Sequence, residues 1–381
     1  MSKPYYVTLT GGKNNAGDFL IKYRAFNLFK SLRPDRNIID YNEWESIDNE
    51  RLAIINQSVA LILLGGPGLV YPMYPKIYPL RTDLDDIKVP IIIMGIGWKD
   101  AQGDWKDSYT YKLSAQSLNL LDRIEKSGYN SSVRDYHTLN VLQMHGYKNF
   151  IMTGCPAYYD KDYINKELKI NSSKKVAFSL GVSFTNNTQM KEQMKEVILR
   201  LREQYNSLEV VFHHSLDEKV TEQVYGKKDR EHYSKHKVFS LWLKNHNIPY
   251  IDISGSAENL ISYYSKVDLH IGYRVHAHIF MNSISRYSIL LNEDGRGKGV
   301  ERVLGGTTIN AYSKYKKDFF SKIFSRIFKN YNRMKPNKYV LNELCNLLDY
   351  ESKREKQSIK RVRGLIDNNF ETMKQFIQQL P

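Results

Sequence analysis

The chain has 381 residues, 41% of them hydrophobic and 25% charged, with a formal net charge of +15 at pH 7. These values exclude long disorder, and the length favours two domains of ordinary size over a single core. No apolar run of about 18 residues occurs to span a bilayer, and "MSKPYYVTLTGG" carries no signal-peptide core, which predicts a cytoplasmic protein.

In chain order, short β-rich runs alternate with helical periods, the pattern of parallel sheets flanked by helices. "YYVTLT", "NIIDY", "VALILLGG" and "VPIIIMGIG" predict buried strands of a first sheet. Between the first two, "DFLIKYRAFNLFKSL" repeats apolar residues every three or four positions and predicts a helix. "SSVRDYHTLNVLQMHGY" reads as strand, turn and helix, and "NFIMTG" as a further strand. After the charged linker "YDKDYINKELKINSSKK" a second cycle begins, with strands at "VAFSLGVSF", "LEVVFHH", "YIDISG", "VDLHIG" and "YSILLNED". Its helices include "NTQMKEQMKEVILRLREQ" and "SAENLISYYS". The expectation is an α/β protein of two facing Rossmann-like domains, residues 1–165 and 172–310, followed by a basic-aromatic helical tail, 311–381. That tail holds 16 Lys+Arg against 7 Asp+Glu. Cys155 and Cys345 stand too far apart in sequence to suggest a disulfide framework or a zinc site. No metal is expected.

Ligands of doubly wound sheets bind outside the carboxyl ends of the strands, so the residues just after each strand are the candidates. "GGKNNAGD", Gly11 to Asp18, makes a tight turn into a helix whose N-terminus offers N–H groups to an anion. Asp18 is either the cap of that helix or a catalytic carboxylate, and one residue can serve as both. "GGPG", with Gly66, permits close backbone approach. "SVRD" puts Arg134 at a strand end, "SLGVSF" supplies Ser183, and "VFHH" supplies His213 and His214. Because neighbouring side chains on a strand face opposite ways, at most one of these two histidines is expected to enter the cleft unless the strand has already ended. "GYRVHAH" is the sharpest signal. Arg274 can grip a carboxylate or phosphate with two prongs, and His276 follows at a helix start. His278 reads more simply as a packed, structural histidine.

With these residues in hand, the chain resembles the polysaccharide pyruvyl transferase family from about Val7 to Gly305. The ordered motifs are "NNAGD", "LILLGGPG", "MGIGW", "SSVRDYHTLNVLQMHG" and "YYSKVDLHIGYRVHAHIF". The resemblance implies a GT-B-like fold and transfer of the enolpyruvyl group of phosphoenolpyruvate, a co-substrate with no further cofactor, onto two hydroxyls of a sugar. It implies that Arg274 and His276 hold the donor's anionic groups, with His276 also the candidate acid and Asp18 the candidate acceptor-side base or a sugar ligand. Asn15, Gly17, Gly66, Arg134, Ser183, His213, His214 and His278 would complete the substrate site. A cell-surface glycan, or its polyprenyl-diphosphate-linked precursor, is the implied acceptor.

This sequence departs from the family pattern in "NEDGRGKGVERVLGG", where Glu293, Asp294, Arg296 and Lys298 crowd the place of a simpler motif. Glu301 stands where a GT-B glycosyltransferase uses a carboxylate to hold a nucleotide ribose, so a nucleotide-sugar glycosyltransferase is the alternative. The stretch Tyr312 to Lys338 alternates cations with aromatics, a pattern that suits peripheral contact with the anionic inner face of the cell membrane. No nucleic-acid motif accompanies it, and no nucleic-acid partner is expected.

Overall fold

The computed structural model describes residues 3–42, 45–99, 103–166, 175–225, 230–313, 335–354 and 357–381. The first half is a six-stranded sheet of β1 (Tyr5–Thr10), β2 (Asn37–Asn42), β3 (Ala60–Leu69), β4 (Ile91–Trp98), β5 (Ser131–Val133) and β6 (Phe150–Met152). Every pairing is parallel, in the order β2-β1-β3-β4-β5-β6. Parallel strands are covered on both faces, which is why β4 is apolar throughout and buried at every position. Its helices are α1 (Ala16–Leu32), α2 (Asn49–Asn56), α3 (Trp105–Tyr109), α4 (Ala115–Glu125) and α5 (Tyr136–Met144).

The second half repeats the plan. Strands β7 (Val176–Ser179), β8 (Leu208–Phe212), β9 (Tyr250–Asp252), β10 (Leu269–Gly272), β11 (Tyr287–Asn292) and β12 (Thr308–Asn310) form a parallel sheet. Its order is β12-β11-β10-β7-β8-β9. Helices α6 (Thr188–Gln204), α7 (Glu218–Tyr225), α8 (Arg230–Asn245), α9 (Ala257–Tyr264), α10 (Val275–Ser283) and α11 (Gly295–Leu304) flank it. Strand order reverses between β1 and β3 in one sheet and between β7 and β10 in the other. Each reversal opens a crevice at the strands' carboxyl ends, where such folds bind ligands.

After β13 (Tyr312–Ser313) and its antiparallel partner β14 (Lys335–Pro336), the chain forms α12 (Val340–Lys353) and α13 (Gln357–Gln378). Val340, Leu344 and Leu348 bury α12 against the second half's core. By contrast α13 crosses back, putting Ile366, Met373, Phe376 and Ile377 into the core that β1 and β3 share. The Tyr6 hydroxyl donates to the Pro381 carbonyl at 2.8 Å, and Arg33 donates to the carbonyls of Leu380 and Pro381. The tail is therefore a strap between the halves, which composition alone did not reveal. Phe319, Phe320, Phe324 and Phe328, the aromatic row of the basic stretch, lie outside the described residues.

Candidate functional site

Both crevices open into one cleft of about 360 Å³ between the halves. From the first half, α1 presents Asp18. Its helix starts where the Asn15 side chain accepts the Gly17 N–H at 3.3 Å, so Asn15 and not Asp18 is the cap. Asp18 sits in the first turn and accepts from Asn15 Nδ2 at 3.2 Å. Asn15, Asp18, Gly66 and Arg134 line the cleft from this side. Arg134 follows β5, is only 5% exposed, and has an Nη2 without a hydrogen-bond partner. Gly97 makes room for it, since a Cβ there would overlap the guanidinium.

From the second half come His213, Arg274, His276, Glu293 and Arg296. Strand β10 ends at Gly272, whose φ of +153° and contact with Ser179 leave no space for a side chain. Arg274 is then the cap residue of α10, with its N–H on Ser179 Oγ at 3.0 Å and its Nε on the Leu180 carbonyl at 2.7 Å. These two bonds fix the guanidinium's direction. At the second position of the helix, the His276 ring packs on Gly17 of α1 so closely that a Cβ there would overlap it. Its Nε2 is buried and makes no hydrogen bond. Arg296 enters from α11, aligned by Asp294 through Nε at 2.9 Å and Nη2 at 2.6 Å.

Burial sets the protonation states, with the arginines acting on both groups. Burial, reinforced by Arg134, Arg296 and Arg274, pushes His276 down to about 3, so the imidazole is neutral. Burial pushes Asp18 up to about 6, against the pull of Asn15 and the same three arginines. Lys22, Lys76 and Lys99 also line the cleft, leaving six cations to two carboxylates. Of those two, Glu293 is already engaged, accepting the N–H groups of Val182 at 3.0 Å and Ser183 at 3.0 Å. The cleft is a place for a small, multiply charged anion. Among the described residues, no group of three or more His, Cys, Asp or Glu could hold a metal ion.

The other expected site residues stand elsewhere. Gly17 is spacing for His276 and does not itself line the cleft. His213 faces the cleft with Nε2 2.9 Å from the Tyr264 hydroxyl, whereas His214 packs toward His236; β8 has already ended at Phe212, so the loop after it, and not strand alternation, separates the two rings. Ser183 serves Glu293 with its N–H and does not reach the cleft. His278 is buried between Ser288 Oγ at 2.8 Å and Asn282 Nδ2 at 3.0 Å, a structural histidine. Glu301 is exposed on α11, away from the cleft. Sequence reading passed over Asn14. Its Oδ1 accepts the Ser215 N–H at 3.0 Å and its carbonyl accepts the Gly255 N–H at 2.9 Å, tying the halves on one flank of the cleft. On the other flank, Lys298 pairs with Asp104 at 2.9 Å.

Twin parallel Rossmann-like units, facing across a cationic cleft and strapped by a returning helix, define a GT-B-like α/β protein. The family model of polysaccharide pyruvyl transferases matches residues 15–280. The chain belongs to that family and is a transferase. No curated relative matches it significantly. Among solved structures it is similar to a UDP-GlcNAc 2-epimerase from Neisseria meningitidis bound to UDP-GlcNAc, at 11% identity and a TM-score of 0.49, covering 98% of this chain and 99% of that one. A UDP-GlcNAc 2-epimerase from Methanocaldococcus jannaschii gives 14% identity and a TM-score of 0.45, covering 91% and 99%. The wall teichoic acid polymerase TagF gives 10% identity and a TM-score of 0.39, covering 97% and 89%.

Proposed function

We propose that the protein transfers the enolpyruvyl group of phosphoenolpyruvate to two hydroxyls of a sugar in a cell-surface glycan or its polyprenyl-diphosphate-linked precursor. The observation that carries this reading is the convergence of Arg134, Arg274 and Arg296 on His276, with Asp18 opposite. A donor with one carboxylate and one phosphate matches three guanidinium groups, and two-pronged contacts would orient both ends of it. In the reaction, a proton adds to the methylene carbon and leaves an oxocarbenium-like centre at the neighbouring carbon. One sugar hydroxyl attacks that centre, the phosphate leaves, and the second hydroxyl closes the ketal. Of the two hydroxyl protons, one balances the new methyl group and the other departs with phosphate.

His276 is the proposed acid and Asp18 the proposed base. A donor's negative charge offsets the arginines that depress His276, so the imidazole would take up its proton as the donor binds. Asp18, held near 6, is largely ionised at neutral pH and able to accept a proton. A nucleotide-sugar donor fits less well. The N–H groups after β7, where such folds cradle a diphosphate, are occupied by Glu293, and Glu301 is outside the cleft. Thermal-shift titration with phosphoenolpyruvate and a panel of nucleotide sugars tests the choice, because a ligand of the folded state raises Tm by mass action. Stabilisation by phosphoenolpyruvate is expected. Stabilisation by a nucleotide sugar alone overturns the reading. The proposal includes a cytoplasmic enzyme that meets its acceptor at the inner membrane face. Among the described residues no helix is long and apolar enough to cross a membrane.

A further inference from the structure

Beside the cleft, an open groove of about 400 Å³ is lined by Trp105, Tyr136 and Arg302. Trp105 is 39% exposed and Tyr136 42%, and Tyr109, 47% exposed, accepts from Trp105 Nε1 at 2.6 Å. Exposed aromatic rings gathered in one groove, unlike apolar residues scattered singly, mark interaction sites. These are also held in place. The Trp105 ring lies 5.0 Å from His137, which stacks in turn on the buried Trp98 at 5.5 Å.

The position is informative. Tyr136 stands two residues after Arg134 of the cleft, and Trp105 one residue after Asp104, which pairs with Lys298 across the seam. Arg302 comes from the opposite half, six residues along α11 from Arg296 of the cleft. It is exposed and makes no ion pair among the described residues. The groove thus spans the same seam as the cleft and combines flat aromatic faces with one cation.

We propose that Trp105, Tyr136 and Arg302 form an outlying saccharide subsite that holds an acidic sugar residue of the acceptor chain while another residue of that chain occupies the cleft. A pyranose ring presents an apolar face of C–H groups that packs on indole and phenol rings, burying area that water would otherwise wet. Arg302 supplies a charge-assisted contact to a carboxylate or phosphate on the sugar. The sugars bearing such groups include any that this enzyme has already converted to a ketal, since each ketal adds a carboxylate. This inference rests on the proposal that the acceptor is a glycan.

The test uses the full chain and two probes, tetragalacturonate and the matching neutral tetragalactose, with binding followed by intrinsic fluorescence and saturation-transfer NMR. Trp105→Ala and Arg302→Glu are compared with wild type, and Arg302→Glu, at an exposed position, guards against misfolding as the explanation. Wild type is expected to bind the acidic tetramer saturably, and each variant to lose at least about tenfold in affinity. Unchanged affinity in both variants, or no saturable binding by wild type, overturns the subsite. Equal binding of the neutral tetramer overturns its acidic preference. Phosphoenolpyruvate thermal shifts are measured on the same three proteins and should not differ. A failure there with saccharide binding intact refutes the donor and leaves the subsite standing.

Discussion

His276 concentrates the chemistry of the cleft in a single ring. Burial keeps it neutral, and its Nε2 has no protein partner. If it delivers the proton, His276→Ala should lower kcat about 10²–10⁴-fold while leaving the donor's Kd within a few-fold. Loss confined to donor affinity would make it a phosphate ligand instead. Arg274→Lys keeps the charge but cannot reproduce both the Leu180 carbonyl bond and a two-pronged grip. A charge-assisted bond is worth about 2–3 kcal/mol, so donor-dependent kcat/KM should fall roughly 30- to 150-fold. Asp18 has a folded-state value near 6 against an ordinary 3.8, so its ionisation opposes folding. The penalty is absent below pH 3.8, grows between there and about 6, and is complete above. Asp18→Asn should therefore raise Tm at pH 7.5 but not at pH 3.5, while abolishing most activity. In the wild type, kcat/KM should fall above about pH 6, because the free enzyme then carries an ionised Asp18 and a neutral His276 that must still gain a proton as the donor binds. A Tm gain equal at both pH values would remove the buried charge as its cause.

At the scale of elements, the site is two helix starts pressed together. Gly17 at the head of α1 touches His276 at the head of α10, and no larger residue fits between them. Gly17→Ala must push the two helices apart. A misplacement of about 1 Å can cost on the order of 10²-fold in rate, so kcat should fall at least tenfold with near-native circular dichroism. Full activity in that variant would mean the contact is loose in solution.

Much of this scale was legible in sequence. β1 begins and ends where "YYVTLT" does, and "DFLIKYRAFNLFKSL" ends with α1, because both announce themselves through local periodicity. "GYRVHAH" marked the strand-to-helix turn that carries Arg274 and His276. What stayed hidden depended on distant partners or on glycine. "GRGKGVERVL" stands out in the sequence only for its charges, yet forms α11. Its glycines let it approach the other half, Gly299 lying so close to Asp135 that a Cβ would be 3.0 Å from that carboxylate. Asn14 and the returning α13 gave no local sign, since their partners are hundreds of residues away.

For the whole molecule, closure relies on three ties: Asn14 to the loops after β8 and β9, Asp104 to Lys298, and α13 as the strap. The basic stretch begins inside this architecture. Tyr312 is buried in β13 and pairs with β14, so the segment's two described ends are pinned to the second half and Tyr312 itself cannot reach lipid. If the remaining cations meet anionic headgroups at about 1 kcal/mol each, the protein should co-sediment with phosphatidylserine-containing liposomes at low salt. Release is expected as ionic strength rises and screening shortens. Equal recovery in the supernatant with and without anionic lipid refutes membrane contact.

The strap also fixes an order of events during synthesis. Tyr6 waits for a partner 375 residues downstream, and the apolar seat for Phe376 and Ile377 is made long before those residues leave the ribosome. Domains fold largely as units while the chain emerges, yet this first domain cannot finish its core alone. It must keep an open hydrophobic seat while the second half of the chain is translated. Its maturation therefore ends, rather than begins, with the first domain.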